Sequence, residues 1–312
     1  MNVSYKVMKY FAAAAHHKSL SKAAVEMNIS QSAISLAVDS LERELGLSLL
    51  NRQRSKGISL TVKGQEVLTR IQSILDQVDN FERDMLGLQE DISGDLHIGC
   101  FTPLAPIVLV PVLKRMITAH QAIRANIIEG NVRHIFDCIH RGEVDVGISY
   151  DEADISAGLK TQTLAVVPPH VVVPYDHPLA EMQTIPISAL INQNLILLDL
   201  PSSRQYYTSL FETAGFQPKF AYKSGNYEMI RSMVGAGIGI AILQTCPPID
   251  YTQSGTKVVC KPIRKNLRKS RLVVAYTQQA IKRNSVKAFV QQCEAYFTTE
   301  ASRRLIVSRK LA

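Results

Sequence analysis

The cysteines of this sequence are few and unpatterned. All five (Cys100, Cys138, Cys246, Cys260 and Cys293) stand outside any CxxC or CxxxH spacing, which leaves a zinc site with little support. An odd, scattered set reads as reduced thiols of a cytosolic protein. No uninterrupted run of about 18 apolar residues, the length that crosses a bilayer, is evident. The opening "YKVMKYFAAAAHHKSL" has one short apolar run broken by Lys9 and no cleavage pattern after it, unlike a secretory leader. The expectation is a soluble, cytoplasmic chain with no membrane partner, no resident metal and no cofactor.

What is present is ordinary in composition and uneven in charge. The 312 residues, 46% hydrophobic and 20% charged, suit two or three globular domains with real cores. A net charge of +8 permits an anionic partner. Residues 1–70 hold ten Lys/Arg against five Asp/Glu, whereas residues 76–95 hold seven acids against Arg83 alone. A second basic cluster, Lys261, Arg264, Lys265, Arg268, Lys269 and Arg271, reads as a solvated loop.

The stretch "SQSAISLAVDSLERELG" places Ile34, Val38, Leu41 and Leu45 on one helical face. Its first turn holds Ser30, Gln31, Ser32 and Ser35, short hydrogen-bonding groups with no partner in the stretch itself. Upstream, Val7, Phe11 and Ala14 make another helix face, and Ser19 or Ser21 caps a short helix through Ala23 and Ala24. Asn28 suits a left-handed helix end. Two short helices joined this way, with small alanines permitting close approach, form a helix-turn-helix. The second helix of that motif presents its first turn to base edges in the major groove. Gln31 can pair with adenine, and serines fit several edges. "LLNRQRSKGISLT" then reads as two strands with Arg52, Arg54 and Lys56 at a basic tip suited to phosphates or the minor groove.

Thr61 can cap a long helix over residues 62–92, along which Leu68, Ile71, Leu75, Val78, Phe81, Met85 and Leu88 make a continuous seam. Such a seam on a charged helix predicts dimerisation, which suits a reader of two half-sites.

The run "SLSKAAVEMNISQSAISLAVDSLERELGLSLLNR", followed by "SLTVKG", resembles the signature of the LysR-type transcriptional regulators. Leu50 stands where that family usually has Phe, and Ser32 where Pro is frequent. The resemblance covers nearly the whole chain. It implies a winged helix-turn-helix over 1–61, a linker helix over 62–92, an effector-binding domain over 93–300 and a tail over 301–312. The effector domain would be periplasmic-binding-protein-like, with one subdomain at about 93–163 plus 270–300 and a second at about 164–269. The implied partners are double-stranded DNA carrying an inverted repeat, a small effector and further copies of the chain, as a dimer or a dimer of dimers. RNA polymerase is admitted as a further partner.

Residues from about 93 onward also read as α/β without the resemblance. Segments such as "GDLHIGC", "IRANIIEGN" and "EVDVGISY" are strands separated by the helices "PLAPIVLVPVLKRMITAH" and "VRHIFDCIHRG". That alternation predicts a parallel sheet with ligands at the strand ends. By the resemblance, the effector would meet Thr102, Asn131, Ser149 and Tyr150 at those ends. Ser202, Ser203 and Arg204 open a helix in the other half, where two hydroxyls and a guanidinium suit a carboxylate or another anion. Asn226 and Glu228 open another helix, expected on the same cleft and suited to an amine or hydroxyl.

Other signals are weaker. "GAGIGI" at 235–240 runs from helix to strand and ends in Ile240 rather than glycine, so it is not a dinucleotide loop. Cys100 offers a redox-responsive alternative. His134 and Cys138 have helical i, i+4 spacing but no third ligand nearby in sequence. A transported-solute binder would have no use for residues 1–60, and Ser202 and Ser203 have no GxSxG context for hydrolysis. No catalytic residue is expected.

Overall fold

The structure, a computed structural model, describes residues 3–53, 57–85, 92–152, 156–264 and 267–307. At the N-terminus, α1 (Tyr5–His17), α2 (Leu20–Glu26) and α3 (Gln31–Leu45) pack around Phe11, Ala14, Ala23, Ile34, Val38 and Leu41. Each helix has a serine cap: Ser4 accepts from Val7 N, Ser19 from Lys22 N and Ser30 from Ala33 N. Ser19, not Ser21, therefore opens α2. Asn28 takes the left-handed conformation, φ 52°, in the turn between α2 and α3.

The wing is β1 (Leu50–Gln53) paired antiparallel with β2 (Gly57–Leu60). Its entry is pinned by Glu42, whose Oε1 accepts from the backbone N–H of Leu49 at 2.6 Å and of Leu50 at 3.0 Å. Leu50 is buried in the head's core, so the smaller side chain still seats the strand. Thr61 Oγ1 accepts from Gly64 N at 2.8 Å and caps α4 (Val62–Met85).

The seam along α4 divides. Leu68 and Ile71 are buried in the head's own core and Leu75 packs against it, so this half of the helix belongs to the head rather than to a partner. Farther along, Ile74 is 42% and Phe81 62% exposed. Leu88 lies outside the described residues, and of Met85 only the helical backbone is described.

Two five-stranded sheets follow. The first contains β3 (Gly94–Phe101), β4 (Ile123–Gly130), β5 (Val146–Tyr150) and β6 (Lys160–Val167), with α5 (Val110–Ala119) and α6 (Val132–Arg141) between strands. The chain then crosses to β7 (His170–Pro174), β8 (Leu195–Leu198), α7 (Pro201–Thr213), β9 (Phe220–Ser224), α8 (Tyr227–Gly235), β10 (Ile240–Leu243) and β11 (Val258–Pro262). It returns through β12 (Ser270–Tyr276) and closes with α9 (Asn284–Phe297) and α10 (Glu300–Arg303). The strand orders are β4-β3-β5-β12-β6 and β11-β7-β10-β8-β9.

Both sheets are mixed rather than parallel. β12 runs antiparallel to β5 and β6, and β7 antiparallel to β10 and β11. The strand that enters each sheet from the other half arrives without a crossover helix, so it pairs antiparallel. β6 runs to Val167, so the first crossing falls at 168–169, later than the expected 163. The tail beyond 300 is docked through residue 307: Leu305 is buried and its carbonyl accepts from Cys246 N.

The apolar run of one helix is interrupted only by Lys114 and Arg115. Thr102–Ala119 is continuous helix of 18 residues with mean hydropathy 1.3, long and apolar enough to cross a membrane by those measures. It opens with a 3-10 turn and a π-helical turn, and it buries Val108, Leu109, Val112 and Met116 in the first sheet's core. A core helix of a globular domain passes the same test.

Candidate nucleic-acid interface and effector cleft

The first turn of α3 stands exposed beside the wing. Ser30 Oγ lies 2.9 Å from Ser32 Oγ, and Gln31 Oε1 accepts from Ser21 Oγ at 2.8 Å. Gln31 is thereby held across the turn of the motif rather than left free to rotate. Arg52 reaches back to α3: it donates to Ser35 Oγ at 3.4 Å, pairs with Asp39, and lies 3.6 Å from Glu42. Its guanidinium is therefore matched to acids of the head. Arg54 and Lys56 lie outside the described residues.

Sequence reasoning missed Leu36, which is 66% exposed one helical turn beyond Ser32. An apolar side chain there suits the methyl group of thymine. Its signal was available, since Leu36 falls off the spacing of the buried face.

Of the nine expected effector residues, Tyr150, Ser202 and Ser203 line one cavity and Thr102, Asn226 and Glu228 another. A cavity of about 260 Å³ lies between the N-terminal ends of α6 and α7, lined among others by Arg133, Glu152, Ser202, Ser203, Gln244 and Arg268. Tyr150 also lines it, packed edge-on against Phe101 at 5.8 Å, and burial raises its hydroxyl well above the ordinary value. Burial likewise pushes the Glu152 carboxyl up, opposed by a hydrogen bond with Ser202 and by the charges of Arg268 and Arg133. Two guanidinium groups and the hydroxyls of Ser202 and Ser203 thus share the cavity with two acids, half-buried Glu152 and Asp151, the latter paired with Arg271.

The start of α7 explains why an anion would sit there. Leu200 precedes it and provides no side-chain cap, and Pro201 is its first residue. The amides of the first turn therefore face the cavity without an internal acceptor. In contrast, Asn131 and Asn226 spend their side chains as caps, accepting from His134 N and Met229 N at 2.9 Å each. Each cap uses the side-chain oxygen, and Asn226 also lines a cavity.

Arg204 is a second correction. It points out of the cavity, 59% exposed, and pairs with Asp199. One helical position separates Ser203 from Arg204, and a step of about 100° turns the side chain away. The guanidinium facing the anion position is Arg268, which sequence reasoning placed in a solvated loop. Ser149 is fully buried beneath the cleft, its hydroxyl without a partner among the described residues.

Thr102, Asn226 and Glu228 line a different space of about 620 Å³, together with Pro106, Ile127 and Tyr227. Its walls are mostly apolar. Glu228 is already engaged there, pairing with Arg231 at 2.8 Å and accepting from Gln253 N at 2.7 Å. Thr102 donates to the Gly130 carbonyl at 3.4 Å.

Cys100 is fully buried, and burial together with Glu129 holds its thiol protonated, far above the ordinary range. That disfavours it as an oxidant sensor. Cys138 is also buried, with the His134 ring 3.7 Å from its sulfur. "GAGIGI" ends α8 and enters β10, where Gly239 lies too close to the Asn194 carbonyl for any side chain.

Comparison with known proteins follows the same division. Residues 5–65 match the family model of the bacterial regulatory helix-turn-helix protein, lysR family, and residues 89–298 match the LysR substrate binding domain. The HTH-type transcriptional regulator YfeR of Shigella flexneri is 28% identical over 244 residues, 78% of this chain and 79% of that protein. The crystal structure of HinK, a LysR family transcriptional regulator from Pseudomonas aeruginosa, superposes with a TM-score of 0.62. It is 28% identical and the match covers 95% of this chain and 99% of that one. A full-length OxyR variant from Pseudomonas aeruginosa gives a TM-score of 0.72 at 19% identity, covering 94% and 98%. At that identity the likeness is one of fold.

Proposed function

We propose, on the premise that this chain belongs to the LysR family of transcriptional regulators, that it reads operator DNA through α3 and is switched by a small anion. The anion binds in the cavity at the start of α7. The observation that carries this reading is the convergence of Arg133, Arg268, Ser202 and Ser203 on the uncapped first turn of that helix. Glu152, at the same place, gives the ligand's other end a hydrogen-bond acceptor, so the favoured class is a carboxylate that also carries an ammonium or hydroxyl group.

On the DNA side, Gln31, Ser32, Ser35 and Leu36 read base edges. Arg52 leaves Asp39 for a phosphate when DNA arrives, an exchange of one anionic partner for another. Ile74 and Phe81 on α4 supply an apolar face for a second copy, giving a dimer or dimer of dimers on an inverted repeat. A cytoplasmic location and contact with RNA polymerase accompany such a role. The first turn of α7 belongs to this regulatory site, not to a catalytic one.

The test is a thermal-shift panel of small carboxylates and amino acids against the full chain. A stabilising ligand should lose about 10- to 100-fold in affinity with Arg268→Ala, the loss of one charge-assisted contact, and stay within about 2-fold with Arg204→Ala. The reverse pattern would contradict the site.

A further inference from the structure

Three side chains of ligand type meet in the second sheet although sequence spacing keeps them far apart. His170 opens β7, Cys246 follows β10, and Cys260 lies within β11. The antiparallel registers bring this about. His170 stands opposite Leu243 of β10 on one side and Pro262 of β11 on the other. Cys260, two residues before Pro262, therefore shares the face of His170 as its diagonal neighbour. One donor atom from each of His170, Cys246 and Cys260 lies within 4.8 Å of the other two.

The donors are prepared for a ligand. Both cysteines are free thiols, Cys246 buried and Cys260 half-buried. His170 is fully buried, and its Nδ1 lies 3.1 Å from the Gln244 carbonyl. That contact places the ring proton on Nδ1 and leaves Nε2 as a lone pair. Nε2 is buried with no hydrogen-bond partner among the described residues, a costly state for a polar atom unless something binds it.

We propose that His170, Cys246 and Cys260 bind one Cu+ ion in a three-coordinate site. Paired thiolates with an imidazole select soft d10 ions. Zn2+ would need a fourth donor, and among the described residues no further His, Cys, Asp or Glu belongs to the cluster. Two thiolates and Cu+ leave one negative charge; the buried Arg231, itself paired with Glu228, acts favourably on both sulfurs and Asp250 opposes it. Binding forms one Cu–N and two Cu–S bonds and releases the thiol protons to water; no electron changes hands.

The position gives the ion a regulatory consequence. It joins β7, β11 and the segment after β10, beside the two places where the chain crosses between sheets. Gln244 accepts from His170 through its carbonyl, while its side chain lines the anion cavity and bonds Ser270. Cu+ is thus a second input, distinct from the cavity's ligand and linked to it through Gln244.

The experiment is anaerobic titration of the reduced full chain with Cu+ against a coloured Cu+ chelator. A background carrying Cys100→Ser, Cys138→Ser and Cys293→Ser keeps only the proposed pair. It should retain one Cu+ per chain, with a near-ultraviolet sulfur-to-copper band. Adding Cys260→Ser should weaken binding by about 100-fold or more, and His170→Gln by about 10-fold or more. Cys260 is only half-buried, so a thermal melt should show that variant folded. No uptake by the triple-serine background would overturn the proposal, as would undiminished uptake after Cys260→Ser. Retention of Zn2+ in preference to Cu+ would overturn the three-coordinate assignment. A Cys246–Cys260 disulfide forming without any Cu+ binding would reassign the pair as a thiol switch.

Discussion

At the front of α3 the polar groups come from one stretch of chain, Ser19 through Ser35, with the wing's Arg52 folded back onto them. At the front of α7 the matching groups come from Arg133, Glu152, Ser202 and Arg268, brought together by two crossings between sheets. Both places are exposed or partly open helix starts that suit an anionic partner. One is assembled by local sequence and the other by topology. The first can therefore be damaged from within the head alone, and the second only by changes that share the two-sheet module.

The largest expected effect separates the two regions outright. A Cβ on Gly64 would stand 2.0 Å from the Leu49 carbonyl. Gly64→Ala should therefore cost the head about 3 kcal/mol, the upper end of overpacking. Differential scanning calorimetry should show the head melting earlier while the two-sheet module keeps its transition. A single unchanged transition would show that the head has room to relax.

A smaller effect sharpens base reading. Gln31→Ala should weaken binding to a specific operator by about 10-fold while leaving nonspecific affinity and the salt slope in place. Fluorescence anisotropy on matched and scrambled duplexes measures both. Equal loss on the two duplexes would make Gln31 a positioning contact only.

The smallest effect is confined to the module. Asp145 receives Arg283 Nη1 and the His97 backbone N–H, and His97 Nδ1 lies 3.4 Å from its Oδ2. Burial pushes the Asp145 carboxyl up, but His97 and Arg283 outweigh it and hold it below the ordinary value. The hydrogen bond to Asp145 raises His97 in turn, against its burial. His97 thus contributes stability that is present below its unfolded value of about 6.5 and lost as pH rises through its higher folded value. Asp145 contributes stability above about 4 that is lost as pH falls through its depressed folded value. His97 is about one-third exposed, so screening reduces its share. Between pH 6 and 8 the module's Tm should fall by about 1 °C, and His97→Asn should flatten that slope. An identical slope in the variant would place the dependence elsewhere.

Legibility in the sequence follows the same division. Ser30, Asn28 and Thr61 could be assigned because caps and left-handed turns are decided within a few residues. The strands at 94–101, 123–130 and 146–150 were readable from their apolar runs. β6 and β11 were not: β6 begins with the polar run Lys160–Thr163, and β11 has an apolar run of only Val258–Cys260 before Lys261. Arg204 was chosen over Arg268 because it adjoins Ser203 in sequence. Helical geometry turns Arg204 outward, and the chain's return to the first sheet at β12 brings Arg268 in. His170, Cys246 and Cys260 share no spacing at all, and only strand register unites them.

The central claim is that occupancy of the cavity at α7 is felt by the DNA-reading head. Its most direct test is an anisotropy titration of labelled operator with and without the stabilising carboxylate, in the wild type and in Arg268→Ala. The account predicts a shift in operator affinity of about 5-fold or more in the wild type, matched by an equal shift in ligand affinity when DNA is bound. The shift should vanish in Arg268→Ala. Superimposable wild-type isotherms with and without ligand would contradict it.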